Sequence, residues 1–313
     1  YSTNHIWKVR GGKYVFNFEK NNPTISFENV DLQCYAVNRK AGKKENPYFD
    51  STIVRNTSGL YEPFRYKWTG EGGIIDWQKV GKDPKTNYAE ITGYMMSLKG
   101  SKIESDSVLV YTDYYEKPLY GNLKDIAKKI NREVDRVYPS FISFNKHVVR
   151  KDILPEVDYV GGFALEGADF SGIGYDSEPA QLVFYKEEKP FVVAKALRIK
   201  ANQKGISAGE CEVTMYISEN DSLFHPGLEL SYDTEQLQMA RGKEGIAQAP
   251  FKDSYHELDM YVDRILWTKE DPNLTLTWHP LSSRKLARFE SQDFFDLRVY
   301  NEIQGMSQVN PLV

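Results

Sequence analysis

The chain has 313 residues, of which 41% are hydrophobic and 27% are charged, and this composition is typical of a globular protein. Its 40 basic and 44 acidic residues give a net charge of −4, with both signs scattered along the sequence. No basic surface for nucleic acid and no polybasic segment for anionic lipid is therefore expected, which excludes nucleic acid as a partner.

The two ends of the sequence indicate a piece of a longer polypeptide. The chain begins at Tyr1 without a signal peptide, and its last residues, 309–313, read as continuing chain. We expect a mature or excised fragment whose targeting segment has been removed. No run of about 18 apolar residues occurs, so no membrane-spanning helix is predicted.

The first 121 residues read as a succession of short strands. Four alternating runs occupy residues 1–35, and Gly11-Gly12 between the first two is a hairpin or bulge signal. A charged segment, 38–50, reads as a solvated loop, and further candidate strands fill 52–121.

Two segments depart from the β pattern and predict short helices. Residues 122–137 place Leu123 and four further apolar side chains at helical spacing behind an Asn122 N-cap. Residues 291–303 likewise place apolar side chains at helical spacing, with Ser291 as the N-cap.

The stretch 159–233 is the most regular part of the sequence, with apolar and polar residues alternating in runs that break roughly every 10–15 residues. Alternation predicts that one side-chain set is buried. That set is Phe163, Leu165, Val183, Phe184, Val192, Leu197, Val213, Met215, Leu228 and Leu230.

These patterns together predict a mainly β protein of stacked or coiled β-sheets, solenoid-like or sandwich, with two short helices. We place an N-terminal β region at 1–138, a connector at 139–158, and a C-terminal β region with a terminal helix at 159–313. Cys34 and Cys211 form either one disulfide or two buried free thiols, and the usual burial of cysteine favours the thiols.

Motifs that carry chemistry do not occur in this sequence. It has no H-E-x-x-H, no G-x-S-x-G, no phosphate loop and no EF-hand frame, so we predict no metal and no cofactor. Paired carboxylates are the remaining route to catalysis. The nearest pairs in sequence are Glu166 with Asp169, Glu210 with Glu212, and Asp259 with Asp263, and each reads better as a solvated strand face. His225 precedes a proline and is expected at a partly exposed strand end.

Aromatic residues are the remaining candidates for a binding site. A platform for stacking sugars is predicted from Trp68, Trp77, Tyr111, Tyr115 and Tyr120, with Tyr114 beside them in sequence. The same residues could instead form cross-strand pairs, which stabilise a sheet by roughly 0.2–1 kcal/mol each.

Three segments carry a resemblance to a known group of proteins. Residues 73–81 (GIIDWQKVG), 115–121 (YEKPLYG) and 223–228 (LFHPGL) resemble parts of large, uncharacterised secreted β-repeat proteins of Bacteroidetes bacteria. The resemblance implies a secreted or envelope location and a larger parent polypeptide. It implies no catalytic residues.

Two functions from different classes remain open at the level of sequence. The first is a non-enzymatic structural or interaction module of the bacterial cell envelope, whose partners are other envelope proteins or other parts of the same polypeptide. The alternative is a glycan-binding module or a glycoside-acting enzyme, which would use surface aromatics and a carboxylate pair.

Overall fold

The computed structural model describes residues 4–37, 48–129, 136–202, 204–242, 244–269, 271–277 and 287–292. Strands make up 67% of these residues and helical turns 3%, which confirms a mainly β fold. The described helical turns are the 3-10 turns Gln78–Val80 and Gly245–Gln248, and no α-helix occurs among the described residues.

The chain divides into two compact units. The first, unit 1, contains residues 1–150 and 160–174, and the second, unit 2, contains 151–159 and 175–313. Strand structure runs through most of the segment that the sequence suggested as a connector. It is occupied by β11 (Ser140–Ser143), β12 (Val148–Leu154) and the start of β13 (Val157–Glu166).

Unit 1 consists of antiparallel strands whose register follows the alternation of the sequence. Besides β11, the first part of β12 and the later part of β13, they are β1 (His5–Arg10), β2 (Lys13–Asn17), β3 (Thr24–Val37), β4 (Tyr48–Glu62), β5 (Lys67–Glu71), β6 (Ile74–Asp76), β7 (Tyr88–Ile91), β8 (Gly93–Ser97), β9 (Lys102–Thr112), β10 (Tyr115–Ile126) and β14 (Asp169–Ile173).

Two runs of paired strands meet at β4 in unit 1. One run joins β1 and β2 to β3, then β3 to β4, β4 to β5 and β5 to β8. The other joins β6, β7, β9, β10, β11, β13 and β14 in that order. A single pairing, Arg55 with Ile74, links β4 to β6, so β4 belongs to both runs.

Unit 2 continues the antiparallel arrangement with short connections. Its strands are β15 (Ala180–Lys186), β16 (Lys189–Ala196), β17 (Arg198–Asn202), β18 (Gly205–Tyr216), β19 (Ser222–Tyr232), β20 (Gln236–Ala240), β21 (Phe251–Asp253), β22 (Leu258–Tyr261), β23 (Arg264–Thr268), β24 (Leu274–Thr277) and β25 (Arg288–Ser291). The long pair β18–β19 lies at its centre, with β16 and β17 on one side and β20 and β21 on the other.

The core predicted for the regular stretch is confirmed at eight of its ten positions. Val183 is half-buried on the outer face of β15. Leu197 is 52% exposed, because it lies at the bend between β16 and β17, where the alternation is interrupted. Strand ends therefore account for the wrong prediction at Leu197, whereas strand interiors follow the pattern.

The helix predicted at 122–137 is wrong over its first part. Residues 122–126 form the end of β10, where 123–126 pair with β9 and 122–124 pair with β11. Leu123, Asp125 and Ala127 are buried while Asn122 is exposed, which is the two-residue period of a strand. Pairing with strands on both sides therefore overrides the apolar spacing that suggested a helix.

The second predicted helix, 291–303, lies almost wholly outside the described residues. Its first residue, Ser291, ends β25.

Both cysteines are free and buried, one in each unit. Burial raises the pKa of each thiol to about 12, so both remain protonated at neutral pH.

Among the described residues, no helix has the length and apolar character needed to cross a membrane.

The burial of Val213 generates a stability prediction. Val213 is 2% exposed and pairs with Ala194 on one side and His225 on the other. Val213→Asp buries an unpaired charge and should lower the free energy of unfolding by more than about 4 kcal/mol. Urea denaturation followed by circular dichroism measures this loss.

The matched control is Leu197→Asp, which introduces the same charge at a side chain that is 52% exposed. It should change the stability by less than about 0.5 kcal/mol. Equal losses from the two substitutions would contradict the register of β18.

Candidate functional site

Two of the five predicted platform residues are core side chains. Trp68 on β5 and Trp77, just before the 3-10 turn, are each 1% exposed. Trp68 packs against Phe27, with ring centroids 5.4 Å apart. Neither indole can present a ring face to a sugar. The prediction that these two tryptophans belong to a stacking platform is therefore wrong.

Tyr115 does not belong to the predicted platform either, because its side chain packs inward. Its ring meets the buried Phe163 edge-on, with centroids 5.0 Å apart, and its neighbour Tyr114 packs against Phe163 and Phe170. Burial raises the pKa of both hydroxyls. These two tyrosines stabilise the core of unit 1 at the turn between β9 and β10.

Tyr111 and Tyr120, the remaining two predicted residues, lie together on the outer face of unit 1. Tyr111 on β9 is directly opposite Tyr88 on β7, and the two rings stack with centroids 4.6 Å apart and planes 17° apart. Tyr120 on β10 is opposite Leu109, which is also opposite Glu90. We call Tyr88, Glu90, Tyr111 and Tyr120 the tyrosine face.

The electrostatics of Tyr111 show that the four side chains share one environment. Its pKa is raised first by desolvation and then by Glu90, Tyr88 and Tyr120. The negative charge of Glu90 nearby favours the protonated phenol. Tyr120 is 62% exposed, so the face is open to solvent.

The tyrosine face continues onto the next strand. Phe144, 52% exposed, follows β11 and donates its backbone N–H to the Tyr120 carbonyl at 2.9 Å, so it extends the row. Ile142, 48% exposed, lies opposite Asn122. With strands spaced about 4.8 Å apart, the row from Glu90 to Phe144 spans roughly 14 Å. An extended polymer fits such a surface better than a small, enclosed ligand.

Sequence reasoning missed Tyr88, Glu90 and Phe144 as members of this surface. The alternation in 88–91 places Tyr88 and Glu90 on one side of a strand, which was the available signal. The pairing of β7 with β9, which brings them beside Tyr111, is a long-range contact that no local pattern contains.

A second cluster of polar side chains lies in a cavity of about 270 Å³ in unit 1. Lys79 Nζ donates to Asp125 Oδ1 at 2.5 Å and lies 3.8 Å from Asp50 Oδ2. Thr52 donates its hydroxyl to the other Asp125 oxygen, and Arg55 bonds Asp76 at 2.9 Å. The charged groups of the cavity already satisfy one another, so this cluster is better suited to holding strands together than to binding a ligand.

The carboxylate pairs suggested by the sequence do not form clefts. Glu166 and Asp169 are opposite residues at the end of the β13–β14 hairpin. Glu212 is held by Lys195 at 3.0 Å on an exposed face. Asp259 accepts a hydrogen bond from Gln292 at 2.8 Å. Among the described residues, no group of three or more histidine, cysteine and acidic side chains is placed to hold a metal.

Unit 2 contains an open groove of about 740 Å³ on the outer face of β15, β16 and β18. Tyr185, Phe191 and Tyr216 contribute its aromatic side chains, and Val183 and Val193 form its floor. Its rim carries charges of both signs, including Lys186.

The three kinds of comparison with known proteins gave one result. No family model, curated protein or solved structure matches this chain. The tyrosine face and the groove of unit 2 are therefore interpreted from their geometry alone.

His225 corrects a further expectation, because it is 1% exposed rather than partly exposed. Its Nδ1 accepts the Gly227 N–H at 3.1 Å and its Nε2 donates to the Ala249 carbonyl at 2.9 Å. The bond to Nδ1 requires the neutral ring, because a protonated Nδ1 cannot accept, and burial lowers the pKa to about 4.

A pH dependence of stability follows from His225. The unfolded chain binds this proton below a pH of about 6.5, whereas the folded chain resists it until about 4. The free energy of unfolding should therefore fall as the pH falls through this window, by up to about 1.4 kcal/mol per pH unit. Urea denaturation of the wild type and of His225→Gln between pH 4 and 7.5 isolates this contribution, which the variant lacks.

The control variant is His147→Gln, which makes the same substitution at an exposed histidine of unit 1. A His225→Gln variant with the same pH dependence as the wild type would show that the ring is not held neutral by the fold.

Proposed function

We propose that this chain is a non-enzymatic interaction module of the bacterial cell envelope, and that its tyrosine face binds glycan. The observation that carries the proposal is the stacked pair Tyr88–Tyr111, beside the exposed Tyr120 and a carboxylate on one open sheet surface. The resemblance to secreted β-repeat proteins supports the envelope location and a larger parent polypeptide.

The chemistry of the face suits a carbohydrate chain. Tyrosine has an apolar ring that covers the C–H surface of a sugar and a hydroxyl that exchanges hydrogen bonds with its polar groups. Glu90 adds a charged acceptor, and hydrogen bonds to charged groups are about twice as strong as neutral ones. The open shape leaves both ends free, as a long polymer requires.

Binding fits the tyrosine face better than hydrolysis does. Paired acids that hydrolyse glycosides stand about 5–10 Å apart. Glu90 lies opposite Leu109 of β9. Glu104 is five residues from Leu109 on the same strand, so it is roughly 16 Å from Glu90 along the strand direction. Lys102 and Lys124 also hold Glu104 in ion pairs and lower its pKa, so it is not a proton donor at neutral pH.

A protein partner is the second candidate function, and the groove of unit 2 favours it. Its apolar floor and its half-exposed Tyr216 resemble the core of a protein interface, where aromatic residues are enriched. Another envelope protein or another part of the same polypeptide would occupy the groove.

We also infer that the sheets stack in a solenoid-like or sandwich arrangement, because each sheet must bury one apolar face against another element.

Glycan binding is tested with the purified chain and a panel of immobilised bacterial polysaccharides and peptidoglycan fragments. We expect at least one to bind, and Tyr120→Ala to weaken that binding by about tenfold, since stacking on one exposed ring contributes roughly 1–1.5 kcal/mol. Tyr120→Phe keeps the ring and should keep most of the affinity. Calorimetry or biolayer interferometry gives the dissociation constants.

The control variant is Tyr255→Ala, which removes a 58% exposed tyrosine from unit 2 and should leave the affinity unchanged. Absence of binding to the whole panel, or equal losses from both variants, would contradict a glycan site on the tyrosine face. Release of new reducing ends that Glu90→Gln abolishes would instead establish an enzyme.

A further inference from the structure

Strand β2 lies at the edge of its sheet and is exposed along its whole length. In the described part of the chain, β3 is the one strand that pairs with it. Tyr14 is 70% exposed, Val15 53% and Phe16 41%, and Phe18 just beyond the strand is 84% exposed. An exposed edge strand with these side chains is a template for pairing with another strand.

The preceding edge segment, β1, is protected in a way that β2 is not. Lys8 and Arg10 place positive charges on β1, and charged side chains on an edge oppose pairing with another chain. The central residues of β2, 14–16, are all apolar or aromatic, and its one charge is Lys13 at the first position. Of these two described edge segments, β2 is therefore the unprotected one.

An aromatic row runs from this edge into the core of unit 1. Phe16 contacts Phe18 with ring centroids 4.3 Å apart, and Tyr14 lies 6.2 Å from Phe27. Phe27 in turn packs 5.4 Å from the buried Trp68. A strand added beside β2 would extend an aromatic surface that is already anchored in the interior.

We propose that the occupant of this edge is the β2 strand of a second copy of the chain, paired antiparallel about a two-fold axis at Val15. In that register Tyr14 lies opposite Phe16 of the other copy, and Phe16 opposite its Tyr14. Aromatic cross-strand pairs of this kind stabilise antiparallel sheets. The interface is isologous, because the same patch serves both copies.

The charge of Lys13 disfavours registers shifted toward the N-terminus of β2. Pairing about Val15 places Lys13 opposite Asn17 and keeps the two Lys13 side chains four positions, about 13 Å, apart. A shift toward the N-terminus of the strand places Lys13 opposite an apolar residue and brings the two ammonium groups closer together. The strand is thus complementary to itself in the antiparallel register about Val15.

The exposed area indicates a weak dimer. An aromatic side chain buries about 150–250 Å² when fully covered, so the exposed parts of Tyr14, Val15, Phe16 and Phe18 offer at most about 900 Å² over both copies. This lies below the usual range of stable interfaces, about 1,200–2,000 Å². We expect dissociation at micromolar concentrations. This association goes beyond the proposed glycan binding and uses a different surface.

A disulfide test reports the register directly. In Val15→Cys the two introduced thiols are opposite each other, with Cα atoms about 4.5–5.5 Å apart, which a disulfide can bridge. Mild oxidation of the whole chain should give a covalent dimer on non-reducing gels. Lys13→Cys is the matched control on the same strand: its thiols are about 13 Å apart and should not bridge. The native cysteines are buried and do not interfere.

Sedimentation equilibrium gives the second test. The wild type should show a monomer–dimer equilibrium in the micromolar range, and Val15→Lys, which places like charges opposite each other, should be monomeric with an unchanged melting temperature. A wild type that is monomeric at several hundred micromolar overturns the proposal. Equally efficient bridging by Lys13→Cys overturns the register. Glycan affinity should be the same in Val15→Lys, so the two proposals fail independently.

Discussion

The buried ion pair between Lys79 and Asp125 ties together three segments of unit 1 that are distant in sequence. Lys79 lies on the 3-10 turn after β6, Asp125 on β10, and Thr52 on β4 bonds the same carboxylate. Lys79 Nζ also reaches the Ser51 and Ile126 carbonyls at 3.4 and 3.3 Å. Asp125 is 1% exposed, so its charge depends on these partners. Because β10 carries Asp125 inward and Tyr120 outward, the same pair fixes the strand that presents the tyrosine face.

Much of the fold could be predicted from local alternation, and the errors have physical causes. Interiors of strands such as β18 follow the two-residue period, so Val213 and Met215 are buried as expected. Residues 122–126 were misassigned because apolar spacing alone does not distinguish a helix from a strand that is paired on both sides. Leu197 was misassigned because a bend interrupts the period where β16 ends.

The candidate site was less predictable, because it depends on which strands become neighbours. The sequence placed tryptophans and tyrosines close together along the chain, but Trp68 and Trp77 are buried while Tyr111 and Tyr120 are on the outer face. The decisive pairing, Tyr88 with Tyr111, joins strands separated by β8 in sequence. The edge of β2 shows the converse case, since its unbroken apolar run was visible in the sequence but its exposure was not.

A double-mutant cycle on Lys79 and Asp125 tests most directly whether this ion pair organises unit 1. Urea denaturation gives the free energy of unfolding of the wild type, Lys79→Met, Asp125→Leu and the double variant. Lys79→Met leaves a buried carboxylate without its cation and should cost about 3–5 kcal/mol, whereas the double variant should recover most of that loss. Losses below about 1 kcal/mol that add in the double variant would show that the strands of unit 1 are held together without this pair.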